Sequence, residues 1–389
     1  MFSSKPPEMN LRPFKIDIPE REIFELKQRL SATRLPEKET VDDWSQGVPR
    51  AYLAELCSYW VDDYDWYETQ GRLNRINQGL FRIEGIDIHY VEVRSKCDGA
   101  KPLLLTHGWP GSFLEFEKII GPLTNPLEYG LDSKIACHVI CPTLPGFGFS
   151  GKPIGVGWNV DRIAKVWDAL MKELGYDIYF AQGGDWGAGI TLSIAALDLG
   201  SCRSVHVNMP TAGPTKEAFE NPSPRDLQTL KRIEEFREWG SGYHKQQSTT
   251  PQTLGFGLAD SPVGHAAWIL EKFYEWTDCS GHPENIFSKN ELLDNVMLYW
   301  LTNSAASSAR LYWETFSPGA MLIDRGRISI PVGVSVFPKE IMAGPRSWSE
   351  KHFADICYWS ELDRGGHFAA LEQPDLFVSE IKKWLAIVG

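Results

Sequence analysis

Ile178-Tyr179-Phe180-Ala181-Gln182-Gly183-Gly184-Asp185-Trp186-Gly187-Ala188-Gly189 is the most informative stretch of the chain. An apolar run of strand character meets Gly-Gly-Asp-Trp-Gly, and a helical pattern from Ile190 to Leu197 follows. Glycines two before and two after Asp185 let strand and helix approach around a sharp turn. Such a turn presents the central residue at the carboxyl end of a sheet, where a nucleophile commonly stands. Aspartate at a strand–helix junction also caps backbone N–H groups very commonly, so this stretch alone leaves both readings open.

Its surroundings weigh on the choice. Thr106-His107-Gly108-Trp109-Pro110-Gly111-Ser112 follows the apolar run Leu103-Leu104-Leu105. In α/β-hydrolases the turn after this strand supplies one oxyanion-hole N–H, and the residue after the nucleophile supplies the other. The backbone amides of Trp109 and Trp186 are therefore candidates, against the alternative of an ordinary glycine-proline turn. Pro142 to Ser150 forms a second stiff, glycine-rich loop after Val139-Ile140. Near the carboxyl end, Gly365-Gly366-His367-Phe368-Ala369-Ala370 places a histidine where the base of such a site is expected. The order nucleophile, acid, histidine then asks for a carboxylate after the Val332 to Val336 strand. Glu340 meets it, with Asp355 and Asp363 as weaker competitors and a surface glutamate as the bland alternative.

The alternation of short apolar runs with helical patterns extends from Phe81 to the carboxyl end. It predicts an α/β fold with a mostly parallel sheet covered on both faces. Ile86, Ile88 and Tyr90 alternate with Asp87 and His89 as a half-buried strand after a Glu84-Gly85 turn. The strand rhythm stops near Met209-Pro210 and resumes near Ile330-Pro331. Helical patterns over Arg225 to Trp239, Val263 to Trp276 and Asn290 to Phe316 fill the gap, as a lid over a site would. Residues 1–80 carry helices near Glu20 to Leu30 and Pro49 to Tyr59, the first with Ile23, Phe24, Leu26 and Leu30 as its apolar face. The expected division is a meander over 1–80 that wraps the main domain, a core over 81–210, a lid over 211–328 and the rest of the core over 329–389.

Composition narrows the class of function. A net charge of −12 argues against nucleic acid and anionic membranes as partners. Seven scattered cysteines fit a reducing compartment, and Cys137 and Cys141 flank an apolar stretch that reads as a buried strand. The nine histidines show no metal-ligand spacing, so neither metal nor organic cofactor is expected. Met1 to Asn10 is polar and lacks an apolar signal core, and no run approaches a spanning helix. A soluble cytoplasmic protein without a membrane anchor is expected, with a homodimer left open.

An aspartate nucleophile changes the chemistry. A carboxylate is ionised at neutral pH without help and suits displacement at saturated carbon. The product is an alkyl ester, which water activated by His367, with Glu340 holding its ring, would then hydrolyse. Alkyl halides and epoxides both fit. A halide needs N–H donors, whereas the alkoxide leaving an epoxide needs a proton donor such as tyrosine. Tyr243 and Tyr312 are the lid candidates, each by itself a plausible packing aromatic among 13 tyrosines. Tyr274, Trp276, Tyr299 and Trp300 read as apolar positions on lid helices. A serine esterase would need serine at position 185, and a non-catalytic binding protein fits poorly with Asp185, Glu340 and His367 all present.

With these residues in place, the chain resembles the microsomal-type epoxide hydrolases and their soluble fungal and bacterial relatives, within the α/β-hydrolase superfamily. The resemblance runs from Arg12-Pro13-Phe14 through Trp60 to Leu73, His107 to Ser112, Leu144-Pro145-Gly146-Phe147, Gln182 to Asp185 and Asp260-Ser261-Pro262-Val263 to Gly365 to Glu372. It implies Asp185 as nucleophile, His367 as base, Glu340 as its carboxylate, and Tyr243 and Tyr312 as paired acids acting on a small-molecule epoxide and water. It also implies a cis Trp109-Pro110 peptide. Two departures stand out: the apolar amino-terminal helix of membrane-anchored members is absent, and Trp186 replaces a smaller aliphatic residue found in many soluble relatives.

Overall fold

The short apolar runs assemble into one nine-stranded sheet in a computed structural model that describes residues 10–389. The polar opening stretch, apart from Asn10, lies outside the described residues. The strands are β1 (Leu11–Pro13), β2 (Gln78–Ile83), β3 (Ile86–Val93), β4 (Lys101–Thr106), β5 (Cys137–Pro142), β6 (Tyr179–Gly183), β7 (Cys202–Val207), β8 (Val332–Val336) and β9 (Ile356–Glu361). Their order is β1-β2-β3-β5-β4-β6-β7-β8-β9. The pairings from β1 to β5 are antiparallel and those from β5 to β9 are parallel. β6 and β8 are buried along their whole length, as parallel strands covered on both faces must be. β4 has β5 on one side and β6 on the other, so the chain changes its direction across the sheet there. The loops leaving β4 and β6 at such a switch point form the natural crevice for a ligand.

The helix Val160–Glu173 shows how local sequence serves this layering. Asn159 caps it by accepting from the Asp161 and Arg162 amides, and Ile163, Val166, Trp167 and Leu170 recur at helical spacing on its buried face. Gly175, at φ 86°, follows its end.

Three local expectations change. The sheet reaches further toward the amino terminus, because β1 pairs with β2. β3 is not half-buried: His89 is fully enclosed between Thr143 Oγ1 at 2.8 Å and Gln78 Oε1 at 2.9 Å, with Phe14 packed edge-on to its ring. Phe24 is exposed, so Leu26 and Leu30 carry the buried face of the first helix, Glu20–Ser31.

Between β7 and β8 lie the helices of the segment expected to be a lid, among them Pro224–Glu235, Gly242–Thr249, Pro262–Glu275, Lys289–Leu301 and Ala305–Phe316. The pattern read as continuous from Asn290 to Phe316 is two helices, interrupted at 302–304 where Asn303 takes φ 49°. The amino-terminal segment fastens this lid as well as lying on the sheet edge. Tyr64 Oη and Thr69 Oγ1 donate to Asp294 Oδ1 at 2.7 Å, and Arg72 Nη2 donates to Asp294 Oδ2 at 2.6 Å.

Candidate active site

Asp185 stands on the turn between β6 and the helix Trp186–Leu197, with φ 51° and ψ −125°. A non-glycine residue pays for positive φ and persists only where its surroundings enforce it. Here the glycines do. A Cβ at Gly183 would collide with the Gly187 carbonyl, one at Gly187 with the Thr106 carbonyl, and one at Gly108 with the Asp185 carboxylate. The Asp185 side chain makes no cap on its helix, so the N-cap alternative is not what the structure displays.

The loop after β4 comes to meet it. Trp109-Pro110 is cis, and the Trp109 N–H donates to Asp185 Oδ1 at 2.8 Å. Trp186 opens the following helix, so its amide belongs to the first turn, whose N–H groups lack intrahelical acceptors. On the other side, His367 Nε2 lies 3.5 Å from Asp185 Oδ2. His367 Nδ1 is 2.6 Å from Glu340 Oε1, and Glu340 is wholly buried. Asp363 is exposed beside Arg364, and Asp355 is exposed as well, so neither competes with Glu340 for the imidazole.

The lid closes over these groups with aromatic rings. Tyr243 stacks on Trp109 at 5.2 Å between ring centroids, while Tyr312 meets Trp109 edge-on at 5.9 Å and Trp186 edge-on at 4.6 Å. The two tyrosine rings are 6.0 Å apart, and both residues are buried. Trp276, read from sequence as a packing residue, forms another wall. Its ring is 5.0 Å from His367 and its carbonyl accepts the His367 N–H at 2.9 Å. The broad groove of about 580 Å³ beside Ile154, Trp158 and Trp313 is separate, and none of Asp185, His367, Tyr243 or Tyr312 lines it.

Several contributors were invisible to the sequence reading. Asn208, just after β7, donates to Glu340 Oε2 at 3.3 Å, and the Ile341 amide donates to Glu340 Oε1 at 2.8 Å. From the lid, Asn295 Nδ2 donates to the Pro110 carbonyl at 2.7 Å and Tyr299 Oη to the Gly111 carbonyl at 2.6 Å. Tyr299 therefore braces the turn that carries Trp109. Glu372 accepts from the Phe368 amide at 2.9 Å and from the lid's Asp278 amide at 3.0 Å, which ties the His367 loop to the lid. Asn208 carried one usable signal, a polar side chain at the carboxyl end of a buried strand.

Burial governs the electrostatics. It pushes the Tyr243 and Tyr312 hydroxyls well above the usual tyrosine range, with the Asp185 charge adding to it, so both are neutral donors at pH 7. For His367 burial acts downward, but Glu340 and Asp185 outweigh it and hold the imidazole well above its ordinary value. Glu115 lies under the same turn, where a Cβ on Gly111 would overlap its carboxyl oxygen. Burial first, and the Asp185 charge second among the raising causes, push it up to about 8.

Comparison with known proteins bears on the family. A family model for the epoxide hydrolase N terminus matches residues 11–116, and one for the alpha/beta hydrolase fold matches residues 101–249. The chain is 36% identical to epoxide hydrolase 1 of Oryctolagus cuniculus, over 97% of this chain and 89% of that one. The chain belongs to the epoxide hydrolase family. This epoxide hydrolase is also 50% identical to a protein of Stigmatella aurantiaca named as a candidate epoxide hydrolase, over 96% of this chain and 84% of that one. The crystal structure of juvenile hormone epoxide hydrolase from the silkworm Bombyx mori shares its fold with a TM-score of 0.91 at 30% identity, covering 97% of this chain and 95% of that one. Among the described residues of this epoxide hydrolase, no helix is long and apolar enough to cross a membrane.

Proposed function

We propose that this epoxide hydrolase converts an epoxide to a vicinal diol through an ester on Asp185. The observation that carries the reading is the Asp185 carboxylate held between the Trp109 amide and His367, beneath two buried tyrosines. An Asp185 oxygen attacks an oxirane carbon, the C–O bond breaks, and its electron pair stays on the oxirane oxygen. That oxygen takes a proton from Tyr243 or Tyr312, leaving a tyrosinate. Both hydroxyls are neutral at pH 7, as a proton donor must be, and a halide leaving group would have no use for them.

Water then hydrolyses the ester. His367 takes one proton, the hydroxide oxygen adds to the Asp185 carbonyl carbon, and the Trp109 and Trp186 amides receive the oxyanion. Collapse expels the diol alkoxide, which takes the proton back from His367. The second water proton, left on the regenerated Asp185 carboxyl, passes through solvent to the tyrosinate. Asp185 also controls the timing of the base. Its charge helps hold a proton on His367 in the free enzyme, and alkylation removes that charge. The imidazole then gives that proton up to solvent before acting as base, and it regains one from solvent once the Asp185 carboxylate is restored.

The test is a single turnover of styrene oxide in heavy-oxygen water with enzyme in excess. Diol formed with unlabelled oxygen, and label later found in Asp185, is the expected result. Labelled diol in the first turnover would remove Asp185 as nucleophile. In Asp185→Ala turnover should vanish, whereas Tyr243→Phe or Tyr312→Phe alone should leave part of it.

A further inference from the structure

Trp186 contributes more to the site than its backbone. The residue is 7% exposed, and its indole Nε1–H is buried without a hydrogen-bond partner among the described residues. Orphaned buried N–H donors are rare in folded proteins and call for a reason. The ring stands edge-on to Tyr312 at 4.6 Å, with Phe316 at 5.6 Å. Its backbone follows Asp185 directly on the strained turn, and Tyr312 and Phe316 pack against the ring.

Resting on the reading of Tyr312 as an acid, we propose that the Trp186 indole N–H is a donor held in reserve for the Tyr312 oxygen. It is unpaired while Tyr312 keeps its proton, and it hydrogen-bonds the tyrosinate formed when Tyr312 protonates the opening epoxide. The bond then exists only after proton transfer has begun. An interaction confined to that stage lowers the barrier without tightening substrate binding. The charged and titratable groups around Tyr312 make such a donor useful. Asp185 on the elbow, and Tyr243 and Tyr299 from two lid helices, all disfavour a negative charge on its oxygen. His244 faces its ring at 5.4 Å, and burial pushes that imidazole down, toward the uncharged form. Among the causes acting on Tyr312, hydrogen bonding of the Trp186 side chain to the ionised oxygen is the one that favours release of the proton.

The inference separates the two tyrosines. Tyr243 has the Lys272 ammonium 4.8 Å from its ring centroid and stacks on Trp109, so it does not depend on Trp186. Trp186 is thus a positioning residue that acts through Tyr312 alone.

The experiment is a double-mutant cycle on the alkylation step, read as formation of the Asp185 ester with styrene oxide and enzyme in excess. Trp186→Phe keeps the backbone amide and most of the packing. In the Tyr243→Phe background, where Tyr312 is the sole donor, it should slow alkylation about tenfold further. In the Tyr312→Phe background it should change alkylation less than about twofold, and in both the decay of the ester should be unaltered. Equal losses in the two backgrounds would mean a packing role and overturn the proposal. Site-specific replacement of Trp186 by benzothienylalanine, which keeps the shape and lacks the N–H, gives the same comparison if the phenylalanine variant does not fold. Failure of the wild type to form any ester on Asp185 would instead reject the underlying reading of the site.

Discussion

The Trp109 N–H reaches Asp185 Oδ1 across 2.8 Å from a turn that the lid itself supports. Tyr299 Oη and Asn295 Nδ2 hold the Gly111 and Pro110 carbonyls on the far side of that turn, so lid and amide form one mechanical unit. A donor aimed at a developing oxyanion works only if it is already in place, since reorganisation during the reaction adds to the barrier.

Tyr299→Phe should therefore slow breakdown of the Asp185 ester about tenfold while leaving its formation nearly unchanged. Loss of a whole oxyanion-hole donor costs roughly 10²–10³-fold, and loosening one should cost less. Single-turnover rates for the two steps check this. A variant that loses alkylation and hydrolysis equally would mean that Tyr299 shapes the substrate pocket and not the amide.

In the proposed mechanism ester hydrolysis needs an unprotonated His367, whereas alkylation needs only an ionised Asp185. Once Asp185 has lost its charge, burial still acts downward on the imidazole and Glu340 still acts upward on it. Lowering the pH should thus slow hydrolysis before alkylation, and the alkyl-enzyme should accumulate in mildly acidic solution. Quenched samples analysed by intact mass would reveal it. Glu340→Gln should accumulate the same adduct at neutral pH, with hydrolysis slowed by roughly 10²–10⁴-fold as an oriented base is lost.

The parts of the molecule legible in sequence are those built from near neighbours. The Gly183, Asp185 and Gly187 spacing dictates a turn because backbone atoms come too close for any side chain. The loops carrying Trp109 and His367 were legible for the same reason, since each follows directly from a strand. Contacts made by the folded chain alone were not. Asn295 is 185 residues from Pro110, and Tyr299 is 188 from Gly111, so their spacing along helix Lys289–Leu301 looks like ordinary amphipathic packing. His89 misled the strand reading because Phe14, remote in sequence, covers the face that alternation assigns to solvent.

Asp294 offers a test of the lid's attachment apart from the chemistry. It is 4% exposed and accepts from Tyr64, Thr69 and Arg72, all in the amino-terminal segment. Asp294→Ala strands two hydroxyls and leaves Arg72 with Glu117 alone. Removing one partner of a buried ion pair typically costs 3–5 kcal/mol, and the partly exposed Arg72 puts this case near roughly 3 kcal/mol. Chemical denaturation should show that loss, and a change below about 1 kcal/mol would mean the lid is held chiefly by apolar packing.

Glu115 ties stability to pH in the opposite sense from a surface carboxylate. Its folded-state value is pushed up to about 8 by burial and by Asp185, although His367 and the Gly108 and Ser112 amides act the other way. The folded chain therefore keeps a proton that the unfolded chain releases above the ordinary carboxylate range. The resulting contribution is present in acid and is lost as pH rises through about 8. Glu115→Gln removes this dependence, because the amide is neutral in both states and close in shape to the protonated acid. The melting temperature of the variant relative to wild type should rise between pH 5 and about pH 8 and then level off, both held at equal ionic strength. A constant difference across that range would show that Glu115 ionises as an ordinary glutamate, and that the space beneath the Trp109 turn is open enough to solvent to carry its charge.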